Sequence, residues 1–242
     1  MRFTLPCGTA LNCWSEACPG TSRFCPGLRP PRGFRATKAR WPKMVGPKGR
    51  ESPSRAGVFL IWQPHPVYYA ELCYRAHGDR GTLERYREVV FKTAEFMASY
   101  PAWDADGQRY VLGPALIPAQ ESYGSDRARN LNPTFELAYW HWALDTAQKW
   151  RQRLGLEREP KWDHVMQRLS RPFMDAPKNR YLTNGHNHQS GRLPLYLPGN
   201  GGLLTAVAMM AGGWDGCPRR PAPGFPYNGQ WNVRFEGLRR MP

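Results

Sequence analysis

A Gln120–Glu121 pair stands at the end of the apolar, proline-broken stretch LGPALIPAQESYG, residues 112–124. Apolar surroundings raise the pKa of a carboxyl group, because its charged form loses hydration. A carboxyl of raised pKa suits a residue that donates a proton near neutral pH. The alternative for Glu121 is a structural role, as a helix cap or in a local ion pair. The residue types alone leave both roles open.

Two further stretches combine amide or imidazole groups with aromatic rings. The candidates in WQPHP are Trp62, Gln63 and His65, and those in NGHNHQ are Asn184, His186 and Asn187. Aromatic rings stack on the faces of sugars, while amides and imidazoles hydrogen-bond their hydroxyl groups. We therefore predict that these residues, together with Gln120, bind a carbohydrate. A solvated loop is the alternative for residues 184–189.

We expect neither a metal site nor a cofactor. His186 and His188 have no carboxylate or cysteine at the spacing of a metal ligand. Four cysteines lie near the start of the chain, at Cys7, Cys13, Cys18 and Cys25, and their spacing matches no structural zinc site.

The net charge of +15 is unevenly distributed along the chain. Residues 1–58 hold 11 of the 34 Lys and Arg residues but only 2 of the 19 acidic ones. This segment is rich in Pro, Gly, Arg and Cys and lacks apolar periodicity, so we predict that it is disordered. A basic segment could bind nucleic acid through phosphate contacts, which makes a nucleic-acid-binding protein one alternative. We do not expect that partner, because aromatic residues are sparse there and no known binding module is recognisable.

No stretch of about 20 apolar residues is present, so we expect no membrane span. The uninterrupted apolar run of a secretory signal is also missing, and the localisation stays open.

The elements that must position the candidate residues are mainly helical. A first helix can begin at Pro66 and end at Gly78, and Thr82 is the predicted cap of a second helix over TLERYREVVFKTAEFMASY. The second helix has an apolar stripe at helical spacing: Leu83, Tyr86, Val90, Ala94 and Met97. Two helices joined by a short loop form a helical hairpin.

Three more helices and one strand are predicted downstream. NPTFELAYWHWALDTAQKWRQRLG has one stripe at Phe135, Tyr139, Trp142 and Thr146 and another at Leu137, Trp140, Leu144 and Ala147. Stripes on two faces predict burial between neighbours. PKWDHVMQRLS and GNGGLLTAVAMMAGGW predict a fourth and a fifth helix, and the alternation in WNVRFEGL predicts a short C-terminal strand. An Asp-Gly turn in WDADGQRYVL precedes an extended piece.

Several blocks together resemble the six-hairpin glycosidases, and glycoside hydrolase family 65 or the neighbouring family 95 in particular. The blocks are WQPHPVYYAELCYR, LGPALIPAQESYG, NPTFELAYWHWAL, NGHNHQSGRLPLYLPGNGGLLTAVAMMAGGWDG and PGFPYNGQWNVRFEGL. The resemblance implies an (α/α)6 toroid of helical hairpins over residues 59–242, with an oligosaccharide or glycoside as substrate. It also implies that Glu121 is the general acid of glycosidic bond cleavage.

Glycoside cleavage also needs a second group, usually another carboxylate. The candidates are Asp126 in a basic stretch, Asp175 in a predicted irregular loop, and Glu136 on a helix face that could point to solvent. None is distinguished by sequence. A phosphorylase is possible too, because phosphate can replace water as the nucleophile.

The chain is too short for the twelve helices of a complete toroid. We therefore expect a truncated or internally deleted copy, with apolar stripes on 132–150 and 201–214 left without partner helices. A non-catalytic remnant of such an enzyme is the remaining alternative.

Overall fold

The computed structural model describes seven ranges of the chain: residues 40–41, 63–113, 131–172, 174–175, 180–181, 197–229 and 231–242. The chain divides into two compact units, one within Cys18–Asn184 and the other holding the described residues from 197 onward. Apart from Arg40 and Trp41, the segment 1–58 that was predicted to be disordered lies outside the described residues.

The described residues are mainly helical, as predicted. The helices are α1 (His65–His77), α2 (Arg80–Ser99), α3 (Thr134–Arg153), α4 (Pro160–Arg168) and α5 (Leu197–Gly212). Two short antiparallel pairs join β1 (Ala102–Asp104) to β2 (Arg109–Val111) and β3 (Met174–Asp175) to β4 (Arg180–Tyr181). The candidate carboxylate at Asp175 thus lies in a strand, and the prediction of an irregular loop there is wrong. No helix in the described ranges is both long and apolar enough to cross a membrane.

The α1–α2 hairpin has its boundaries close to the predicted ones. Pro66 lies in the first turn of α1, where its missing N–H costs no hydrogen bond. Gly78 ends α1 with a φ of 71°, a left-handed conformation that glycine adopts without steric cost. The predicted cap of α2 is wrong, because Asp79 precedes Thr82 and its carboxylate accepts both the Thr82 N–H at 2.7 Å and the hydroxyl at 3.0 Å. A carboxylate accepts these bonds more strongly than a hydroxyl would.

Helices α1, α2, α3 and α4 form the core of the first unit. The predicted stripe of α2 is buried throughout, and so is the second predicted stripe of α3, at Leu137, Trp140, Leu144 and Ala147. The Trp140 indole N–H donates to the Met97 carbonyl at 2.9 Å, which fastens α3 to the end of α2. The other stripe of α3 is only partly covered, because the Phe135 ring is 51% exposed. The expectation that α3 lacks partner helices is therefore wrong for the Trp140 stripe.

A buried carboxylate ties α1 to α3. Glu71, only 1% exposed, accepts hydrogen bonds from Arg153 at 2.6 and 3.0 Å, from the Trp150 indole at 2.7 Å and from Arg75 at 2.9 Å. Burial by itself would raise the pKa of Glu71, but these donors outweigh it and hold the pKa below its ordinary value. The Arg153 guanidinium also lies 4.4 Å above the Tyr74 ring.

The ends of the segment that carries Glu121 are joined by a pair of hydrogen bonds. The Leu112 N–H donates to the Asn132 side-chain oxygen, and the Asn132 N–H donates to the Leu112 carbonyl, both at 2.8 Å. Asn132 has a φ of 51°, a conformation that asparagine tolerates better than most residues. Its amide nitrogen also donates to the Ser170 hydroxyl at 3.2 Å. The chain therefore leaves at Leu112 and returns at Asn132 beside the same point of the fold.

The second unit is built around the C-terminal end of α5. The Met241 N–H donates to the Gly213 carbonyl and the Asp215 N–H donates to the Met241 carbonyl, each at 3.0 Å, so the end of the chain is fastened there. The predicted strand over residues 231–238 is wrong, since its described residues form no strand and Trp231 and Phe235 are exposed. Alternation alone does not supply the neighbouring strand that a β-ladder requires.

We predict that Glu71→Gln lowers the free energy of unfolding by roughly 3–5 kcal/mol, because Arg153 loses a buried charged partner. Urea unfolding followed by circular dichroism measures the loss. Since the folded-state pKa of Glu71 lies below its ordinary 4.5, the contribution is present above that pH and is lost as the pH falls through the folded-state value. The parent should therefore lose more stability in acid than the variant.

Glu84 provides the matched control, because it pairs with Arg80 at 3.4 Å on an exposed part of α2. Glu84→Gln should change the free energy of unfolding by about 1 kcal/mol or less. Equal effects of Glu84→Gln and Glu71→Gln would show that the buried pair contributes nothing special.

We also predict self-association through α5, because Leu203, Leu204 and Val207 are 65%, 60% and 45% exposed on one helix face. Replacing all three with Gln should shift the sedimentation profile towards monomer at equal concentration. Lys149→Gln on α3 is the control and should not change it. A parent that sediments only as a monomer would contradict this prediction.

Candidate functional site

The structure describes two of the predicted site residues, Gln63 and His65. The others lie outside the described residues: Trp62, Gln120, Glu121, Asn184, His186 and Asn187. Their predicted roles stay predictions. Gln63 and His65 lie at the N-terminal end of α1, so the contacts around that end define the candidate site.

The Gln63 side chain holds the backbone of Trp41. Its amide oxygen accepts the Trp41 N–H at 2.8 Å, and its amide nitrogen donates to the Trp41 carbonyl at 2.7 Å. The Trp41 indole N–H donates to the Thr93 hydroxyl at 2.9 Å, which adds a link to α2. Gln63 is completely buried. A carbohydrate could reach its amide only after Trp41 has moved away.

The His65 ring, in contrast, lies in a partly exposed aromatic environment. Its Nδ1 is 2.9 Å from the Tyr139 hydroxyl. Burial lowers the pKa of His65 and raises that of Tyr139, so both groups are held in their neutral forms. The tautomer of neutral His65 sets the direction of this hydrogen bond: Nδ1 accepts the Tyr139 O–H, or an Nδ1–H donates to the Tyr139 oxygen.

His65 belongs to a cluster of rings on α1 and α3 that we call the aromatic face. Its members are His65, Tyr68, Tyr69, Phe135, Tyr139 and Trp142, and the neighbouring ring centroids are 5.4–6.0 Å apart. Tyr69 is 38% exposed and Phe135 is 51% exposed. Rings in this state combine fixed geometry with accessible faces, which is what stacking on a sugar needs.

Glu136 is the functional candidate whose environment the sequence did not reveal. The expectation that it could face solvent is wrong, because the residue is 3% exposed. It lies in the first turn of α3, and four-residue spacing puts it on the same buried side as Trp140. Burial raises the pKa of its carboxyl, an effect that a hydrogen bond from its own backbone N–H only partly offsets. Within the described ranges it forms no ion pair.

The first half of α3 thus carries a buried carboxyl of raised pKa on one side and, on another, rings of the aromatic face that include the hydroxyl partner of a neutral imidazole. A protonated carboxyl can give a proton to a leaving group, and an ionised one can activate water. Among the described residues, no three His, Cys, Asp or Glu side chains form a group that could hold a metal ion.

Comparison with models of known protein families gives no match to the chain. Comparison with curated proteins gives no match either. The resemblance to the six-hairpin glycosidases therefore stays a hypothesis based on sequence motifs, and the function is inferred from the residues.

Glu136→Gln should leave the free energy of unfolding at neutral pH unchanged or increase it. The pKa of Glu136 is raised, so its contribution is present below about pH 4.5 and is lost as the pH rises through the folded-state value. The side-chain amide of the variant does not ionise, so the variant does not lose this stability as the pH rises. Urea unfolding at acid and neutral pH tests this, with Glu71→Gln as the opposite case. A loss of about 3 kcal/mol at neutral pH would instead indicate a charged, paired carboxylate.

Proposed function

We propose that the protein is a carbohydrate-active enzyme that hydrolyses glycosidic bonds, with Glu121 as general acid and Glu136 as the second carboxyl group. The observation that carries this proposal is the buried Glu136 carboxyl at the start of α3, on the helix that also carries Phe135, Tyr139 and Trp142. Sites that cleave glycosidic bonds commonly combine carboxyl groups with aromatic rings that bind the sugar.

Chain connectivity supports the pairing of the two glutamates. Leu112 and Asn132, on either side of the segment that contains Glu121, are hydrogen-bonded to each other. Asn132 lies four residues before Glu136. A separation of about 5–5.5 Å between the carboxyls would give retention at the anomeric carbon, and about 6.5–9.5 Å would give inversion.

In the proposed reaction Glu121 protonates the glycosidic oxygen while its bond to the anomeric carbon breaks. Glu136 then has to be ionised, so that it can either take a proton from the attacking water or bond to the anomeric carbon itself. The raised pKa of Glu136 opposes this ionisation, so its proton has to pass to water before the attack, and the positive charge that develops at the anomeric carbon would then stabilise the carboxylate. The aromatic face would bind the sugar ring, with His65 close to its hydroxyl groups.

The proposed architecture is part of an (α/α)6 toroid. His65 contacts Tyr139, and further towards the C-terminal end of both helices Glu71 contacts Trp150. The helices α1 and α3 therefore run parallel. α2 packs against both of them. Alternating helical hairpins in a toroid have this arrangement, which supports the proposal.

The test uses two substrate classes, because only one needs help from an acid. Glu121→Gln should slow an unactivated disaccharide roughly 10²–10⁴-fold, the usual contribution of a positioned acid. It should slow an aryl glycoside with a good leaving group far less, since that group leaves without a proton. Glu136→Gln should slow both substrates.

Glu88→Gln, at an exposed position of α2, is the control and should keep the parental rate. If Glu121→Gln and the parent hydrolyse an unactivated disaccharide at the same rate, Glu121 is not the general acid. No turnover by the parent on a broad glycoside panel, with and without phosphate, would favour the non-catalytic remnant.

A further inference from the structure

The second unit contains a cavity of about 300 Å³ that the proposed function does not use. This volume is at the lower end of the roughly 300–1,000 Å³ that ligand pockets have. Its wall combines one cation, three aromatic rings and a tight turn. The lining residues that matter for binding are Arg220, Ala222, Phe225, Tyr227, Gly229 and Trp231.

Two of the rings belong to largely exposed residues. Trp231 is 57% exposed and Tyr227 is 86% exposed, although both are large enough to favour burial. The Trp231 ring is fixed edge-to-face against Phe225 with centroids 5.2 Å apart. The Arg220 guanidinium lies 4.0 Å from the Tyr227 ring centre. These contacts orient the rings and leave flat apolar area free for stacking.

The Arg220 guanidinium has unused hydrogen-bonding capacity. Its Nη2 donates to the carbonyls of Pro223 at 3.0 Å and Phe225 at 2.8 Å, which fixes its position in the wall. Its Nε is buried and has no acceptor within the described residues. A buried N–H without an acceptor is costly, and because this atom has no accessible surface a ligand oxygen could satisfy it only after a shift of the wall. Residues 213–242 contain five arginines and two acidic residues, so the surroundings are positively charged.

The backbone of the wall is held in an unusual conformation. Ala222 has a φ of 44°, in the left-handed region that residues other than glycine rarely adopt. The Gly224 N–H donates to the Met210 carbonyl at 3.0 Å, and a Cβ on Gly224 would lie 2.5 Å from Met210. Close packing on α5 thus enforces the turn, and such enforced strain is typical of functional sites.

We propose that this cavity binds a sugar ring that carries a carboxylate, the uronic acid residue of an acidic saccharide. The Trp231 and Tyr227 faces stack on the apolar side of the pyranose, and Arg220 supplies the cationic donor for the oxygen acceptor. Net positive charge around the cavity favours an acidic sugar over a neutral one. The inference uses residues of the second unit alone and does not depend on Glu121 or Glu136.

The experiment measures binding of digalacturonate to the full chain by titration calorimetry, with neutral digalactose as the comparison. We expect digalacturonate to bind at least tenfold more tightly and to weaken as salt is added, because charge attraction is screened. Tyr227→Ala and Trp231→Ala should each weaken binding by up to roughly tenfold. Neither ring is buried, so both variants should keep the parental circular dichroism spectrum.

Phe235→Ala is the matched control, because Phe235 is 50% exposed but does not line the cavity. It should bind digalacturonate like the parent. Equal affinity for the two disaccharides would overturn the recognition of the carboxylate. Lack of digalacturonate binding at millimolar concentration, or binding that survives both ring substitutions, would overturn the site. Neither result affects the proposed hydrolysis, which is measured through Glu121 and Glu136.

Discussion

The ion pair between Glu71 and Arg153 is the interaction on which the arrangement of the first unit depends. It joins α1 to the C-terminal end of α3. The Glu71 carboxylate is only 1% exposed, so hydrogen-bond donors of the protein have to replace its lost hydration. With the two helices joined there, the N-terminal end of α1 lies beside α3, and His65 Nδ1 is 2.9 Å from the Tyr139 hydroxyl. The ion pair lies within one helical turn of Tyr68 and Tyr69 on α1, so it helps to hold α1 and α3 together next to the aromatic face.

The two buried glutamates of the first unit have opposite electrostatic environments. Glu71 is surrounded by donors and has a lowered pKa, whereas Glu136 has a raised pKa and forms no ion pair within the described part of the chain. The first stabilises the fold at neutral pH, and the second costs stability whenever it ionises. A fold that already satisfies one buried carboxylate so completely could readily have an apolar residue at position 136. The proposed role of Glu136 in glycosidic bond cleavage would account for an acid at this position.

Much of the fold could be predicted from local patterns in the sequence. The periodicity of Leu83, Tyr86, Val90, Ala94 and Met97 identified α2 and its buried side, and Gly78 identified the end of α1. Errors arose where the answer depends on a distant partner. Among the described residues, the Trp231–Leu238 alternation pairs with no strand, and the Phe135 stripe of α3 is left partly exposed. The burial of Glu136 could not be predicted for the same reason. Helical spacing gives the face of α3 on which Glu136 lies, but it does not show which elements pack against that face.

Hydrogen bonds of side-chain amides to the backbone explain why some polar residues can be buried in the first unit. Gln63 pairs with the backbone of Trp41, Gln148 pairs with the Glu159 backbone at 2.8 and 2.9 Å, and Asn132 pairs with Leu112. Each amide offers a donor and an acceptor, so it can replace the missing neighbour of an irregular backbone segment. An ionised carboxylate cannot do this, since it offers acceptors only. Within the described part of the chain, Glu136 has no comparable pairing with a distant backbone segment, since its one hydrogen bond comes from its own backbone N–H.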